Sequence, residues 1–223
     1  AETGCYDLAH YLFEQDCKSY IVTSGGDLLK YVDKKKVKVI KLPVHSKNPV
    51  LILLNSIILT FIILFLNINI VHVRSRAPAW SCLIATKITF RKLVTTFHGT
   101  YNFSSNIKKL YNSVMVNSDL LIAGSNFIFS HINDNYLKYL NSKKKFLVIF
   151  RGINTEYFDP DNLKKNSVSK LRTLWQIEEN SKVILLPGRL TSWKGQELFI
   201  EAISKFKKLN SESNFTAVIL GND

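Results

Sequence analysis

The sequence predicts an α/β chain in which a parallel sheet carries helices on both faces. Three observations lead there. Short apolar runs recur along the 223 residues, segments of helical length separate most of them, and small, basic or hydrogen-bonding residues follow each run. A hydrophobic content of 46% supplies enough apolar surface for a real core.

The strand-like runs lie at 20–23, 37–42, 68–73, 93–97, 120–123, 146–150, 183–186 and 215–220. After them come "SGGD", "HVRSRAPAW", "HGTYN", "GSN", "RGIN", "GRLTSWKG" and "GND". Open α/β sheets bind ligands at the carboxyl ends of their strands, so His72, Arg74, Arg76, His98, Arg151, Arg189 and Lys194 are expected on or near a common rim. The run 183–186 is short, β-branched-rich and closed by Pro-Gly, which reads as a buried strand. Beyond it Phe199, Ala202, Ile203 and Phe206 recur at i, i+3, i+4 and i+7, the inner face of a helix.

A polar stretch with an Asp-Pro step separates residues 1–152 from residues 181–223, so 153–180 reads as a connection between two domains. Residues 181–223 offer two strands and one helix, too little to close a domain, and the chain opens without an initiator Met. Both ends therefore read as cut. No signal peptide is visible, and Cys5, Cys17 and Cys82 show no metal-ligand or CxxC spacing, which suits a reduced, cytoplasmic setting.

The formal charge of +13 is unevenly spread: residues 1–150 hold 19 Lys and Arg against 8 Asp and Glu, the remainder 11 against 9. A basic first part suits an anionic partner such as a membrane surface or nucleic acid. A composition of 24 Lys, 6 Arg and 19 Asn fits codon bias equally well. Residues 48–73 hold no charged side chain and are nearly all apolar up to 66, apart from Asn55, Ser56 and Thr60. The favoured expectation is a buried helix feeding the next strand, because a membrane span would pull one element out of the α/β alternation. A helix docked on the membrane surface is the second reading, a span the third.

The segment "PGRLTSWKGQELFIEAI" joins two cations to the start of a helix whose first N–H groups are unpaired, an arrangement that fits a phosphate or diphosphate. It is neither G-x-G-x-x-G nor a P-loop. The same segment closely resembles the donor site of retaining GT-B glycosyltransferases of family 4, where G-R-x(4)-K-G precedes a helix. "VTTFHGTYN", "LLIAGSNFIFSHI" and "FRGINTEYFDP" resemble the family's earlier segments in the right order.

The resemblance implies two Rossmann-like, doubly wound domains: an acceptor-side domain over 1–152, lacking its first strand and Gly-rich loop, and an incomplete donor domain from 181. It implies that Arg189 and Lys194 grip the diphosphate of a nucleotide-sugar, that Gly188 and Gly195 let backbone approach it, and that His98 sits near the transferred sugar as the catalytic-site histidine. Ser125 would lie at the cleft edge; Arg74, Arg76 and Arg151 are further cleft candidates, with a solvated rim as the alternative for Arg74 and Arg76. Fixed cations that stabilise a departing diphosphate need no metal or other cofactor. The family's paired-Glu motif lies past "VILGND", so a chain of this extent is expected to be inactive by itself.

The leading expectation is thus transfer of a sugar from a nucleotide-diphosphate sugar to a lipid-linked or envelope glycan, by a cytoplasmic protein peripheral to the cytosolic membrane face. A GT-B epimerase or phosphorylase is the alternative. A basic nucleic-acid-binding protein is a minor one, since no recognition helix, aromatic stripe or RNP-like motif is present.

Overall fold

The computed structural model describes residues 2–101, 103–140 and 145–221, so Asn102 after the fourth strand and Asn222 and Asp223 after the last lie outside it. The chain divides into two compact units, one ending at Gly152 and the other beginning at Ile153.

In the first unit α1 (Glu2–Glu14) packs on a two-stranded parallel sheet, β1 (Ser19–Thr23) beside β2 (Val37–Lys41). A four-stranded parallel sheet follows, in the order β3 (Ile70–Val73), β4 (Lys92–Phe97), β5 (Leu120–Ala123), β6 (Lys145–Val148). Its crossovers are α3 (Arg76–Thr89), α4 (Asn106–Asn112) and α5 (Asn126–Tyr136), while α2 (Pro49–Phe65) joins β2 to β3. Phe97, Leu93, Met115, Leu121, Ile132 and Tyr136 are each all but inaccessible and form the centre of its core. Two buried hydroxyls there are paired: Thr95 Oγ1 donates to Met115 O at 2.6 Å and meets Ser118 Oγ at 2.7 Å, pinning the start of β5 to β4. Between β1 and β3 runs a groove of about 470 Å³, lined by Ile21, Val22, Val71 and Val73 and reaching His72 and Arg74.

The apolar segment does form a helix, but it is not buried. Val50, Leu53, Leu54, Ile57, Ile58, Phe61, Leu64 and Phe65 are exposed, whereas Asn55, Ser56, Leu59 and Ile63 turn inward against α3. The sequence period has little contrast there, so only packing fixes the face. Among the described residues no helix is long and apolar enough to cross a membrane. Asn48 starts α2 by accepting from Val50 N at 2.9 Å, and left-handed Asn67 (φ 49°) ends it as Ile68 N donates to Ile63 O.

The second unit contains α6 (Lys165–Leu174), β7 (Lys182–Pro187), α7 (Gln196–Leu209) and β8 (Phe215–Leu220), with β7 and β8 parallel. The expectation of a buried β7 fails: Val183 and Leu185 are exposed, since among the described residues β7 has β8 as its one neighbouring strand. The inner face of α7 is only partly inside. Phe199 and Ile203 are half-buried and Phe206 meets Phe215 edge-on at 5.3 Å, but Ala202 and Phe206 remain exposed.

Candidate functional site

The expected single rim is two rims, since β7 pairs with β8 and with none of the strands of the first sheet. On the first, β3 delivers His72, Arg74 and Arg76, β4 delivers His98, β5 delivers Ser125, and the chain leaving β6 delivers Arg151.

His98 is the most constrained of these. Arg151 Nη2 lies 3.0 Å from His98 Nδ1 and donates to His98 O at 3.3 Å. A guanidinium only donates, so Nδ1 accepts and the ring proton resides on Nε2. That Nε2 is buried and has no hydrogen-bond partner among the described residues. Burial first, then the Arg74 and Arg151 charges, push the His98 pKa down to about 4. At neutral pH His98 therefore holds an uncharged, buried N–H donor close to the Arg74 and Arg151 guanidinium groups.

His72 is tied back into the sheet. Its Nε2 is 2.7 Å from Thr96 Oγ1, and burial followed by the Arg74 charge lowers its pKa to about 4. Arg74 and Arg76 are not a solvated rim. Arg74 is half-buried, with an unpartnered Nε, and packs so closely on α1 that a Cβ at Gly4 would come within 2.8 Å of its Nη2. Burial draws the Arg74 pKa below its ordinary value. Arg76 Nη1 donates to Asn112 Oδ1 at 2.9 Å, and its guanidinium lies 4.3 Å from the Tyr101 ring centroid. Asn112 and Tyr101 went unrecognised in the sequence; only the aromatic in "HGTYN" hinted at them. Ser125 caps α5, accepting from Ile128 N at 3.2 Å.

The second rim is the loop from β7 to α7. Gly188 N donates to Leu220 O at 2.8 Å, and Gln196 Nε2 donates to Arg189 O at 2.8 Å, closing the loop at its base. Lys194 doubles back, its Cδ 3.7 Å from where a Gly188 Cβ would stand, its Nζ 4.3 Å from the Trp193 ring centroid. Gly195 caps α7 at φ 78°, a conformation that favours glycine, and brings no capping side chain to the first N–H groups. Arg189 and Lys194 are exposed and form no ion pair among the described residues. The loop thus holds two exposed cations, one of them resting over the Trp193 ring, beside an open helix N-terminus.

Comparison with solved structures places both units in the GT-B fold. A glycosyltransferase of Rickettsia africae ESF-5 is 40% identical over 99% of this chain, with a TM-score of 0.82. HepE of Anabaena, solved with UDP and glucose, is 19% identical over 98%, with a TM-score of 0.73. UDP-GlcNAc 2-epimerase of Neisseria meningitidis, bound to UDP-GlcNAc, is 16% identical over 98%, with a TM-score of 0.58. The chain spans 56% of the length of each of the first two and 63% of the third. Among curated proteins none matches. The family model for Glycosyltransferase Family 4 matches residues 1–157, more than half of the sequence, and on that match the chain belongs to glycosyltransferase family 4.

Proposed function

We propose that the whole protein is a retaining glycosyltransferase that moves a sugar from a nucleotide-diphosphate sugar to a lipid-linked or envelope glycan at the cytosolic face of a membrane. The observation that carries this reading is the loop from β7 to α7, where exposed Arg189 and Lys194 stand beside an uncapped helix N-terminus. Two positive side chains and open N–H groups stabilise the negative charge that grows on a departing diphosphate. In this reading the second unit begins the donor domain and the first is the acceptor-side domain. His98 donates through Nε2–H to the transferred sugar, Arg151 holds its tautomer, Arg74 faces the same rim, and Ser125 shapes the cleft edge.

The test is binding and turnover of a panel of nucleotide-sugars by the full-length protein and its Arg189→Ala and Lys194→Ala variants. A charge-assisted bond to phosphate contributes about 1.5–3 kcal/mol, so each variant is expected to bind donor roughly 10-fold to 100-fold more weakly. Unchanged donor affinity in both variants refutes the assignment. Conversion of the donor to an epimer with no transfer to any acceptor establishes the epimerase reading instead.

A further inference from the structure

We propose that the outward face of α2 is a docking surface for an anionic phospholipid bilayer. The proposal deepens the membrane half of the reading above but rests on this surface alone.

The helix is turned inside out relative to one that faces water. Its exposed positions recur at helical spacing from Val50 to Phe65, and all eight are large and apolar, with Phe65 84% exposed. Its polar side chains point the other way. Asn55 Nδ2 donates to Pro43 O at 3.1 Å, Ser56 Oγ to Ile52 O at 2.7 Å and Thr60 Oγ1 to Ser56 O at 2.8 Å. Ser81 of α3 donates to the same Ile52 O at 3.0 Å, so the packed side absorbs the hydrogen-bonding groups. Water favours the opposite arrangement. Ile88 and Phe90, the latter 92% exposed, add apolar surface where the neighbouring α3 ends. A contiguous patch of this kind marks an interaction site.

Charge selects the occupant. Residues 34–118 hold 13 Lys and Arg and no Asp or Glu. Lys47 immediately precedes the N-cap of α2, Arg91 Nη2 donates to Asn67 Oδ1 at 2.9 Å just past its end, and Lys87 stands in the last turn of α3. A helix of 17 residues, about 25 Å long, lying in the interface would bury its apolar stripe in acyl chains while these cations meet phosphate groups. A second copy would bring the same positive charge to the contact and be repelled.

The experiment is sedimentation of the full-length protein with vesicles of equal parts phosphatidylglycerol and phosphatidylcholine, and with phosphatidylcholine alone. Wild type is expected on the anionic vesicles, less so in high salt, and the double variant Ile57→Asp, Phe61→Asp to bind them at least about 10-fold more weakly with an unchanged melting temperature. In a separate Phe65→Trp variant, brominated lipid is expected to quench the added fluorescence. Equal binding by the double variant overturns the proposal, as does failure of wild type to bind either vesicle. Loss of self-association in the double variant, without vesicle binding by wild type, assigns the face to a second copy. Arg189→Ala retains vesicle binding under the proposal, so loss of docking and loss of donor recognition read out separately.

Discussion

Replacing His72 with Gln should remove most of its share of the acid sensitivity of the first unit. The imidazole is neutral in the folded chain because burial, reinforced by the Arg74 charge, lowers its pKa from 6.5 to about 4. A depressed histidine contributes stability that is full above its unfolded pKa and falls away as pH drops toward the folded one, because only the unfolded chain then takes up the proton. Between pH 7.5 and pH 5 the two pKa values give a loss of about 2 kcal/mol from this residue. Gln keeps a polar nitrogen near the Nε2 position to meet Thr96 Oγ1, which the ring approaches at 2.7 Å. The assay is urea unfolding at the two pH values in a background with Trp175 and Trp193 changed to Phe, leaving Trp80 to report the first unit. The variant should lose about 2 kcal/mol less than its parent on acidification. Equal losses would refute the placement of a neutral His72 against β4.

Arg151→Gln should raise the His98 pKa part of the way from about 4, since one of the charges that disfavour the imidazolium is gone while burial and the Arg74 charge remain; an NMR titration that shows no rise contradicts the contact. Ser125→Ala removes the cap of α5 and should cost the first unit about 1 kcal/mol in denaturant unfolding, with no cost arguing against the cap. Gly195→Ala, at φ 78°, should destabilise the second unit by about 1 kcal/mol. Gly221→Ala should cost more, since its Cβ would overlap the Gly188 carbonyl; the reverse order in urea unfolding contradicts the loop geometry.

The eight strands among the described residues were legible because each is a short run rich in apolar and β-branched residues, bounded by turn or polar residues. Their ends were less so. Residues 68 and 69 belong to the helix stop built by Asn67 rather than to β3, and Ile149 bonds to Ala123 O without extending β6. The basic rims could be placed at strand ends, but the bonds that decide protonation could not: Arg151 and His98 are 53 residues apart, Arg76 and Asn112 36. The orientation of α2 was hidden for another reason. A helix apolar on every side offers no contrast to read, and its three polar residues were used inward, where ordinary amphipathic logic would not put them.

The side chain of Arg151 has a mechanical meaning as well as an electrostatic one. It is the penultimate residue of the first unit, and its guanidinium is fastened to the imidazole of His98. The polypeptide is thereby clamped at the end of β4 before it leaves the first unit. The imidazole in turn keeps its proton on Nε2 for as long as that clasp holds, whatever the residues after Gly152 do.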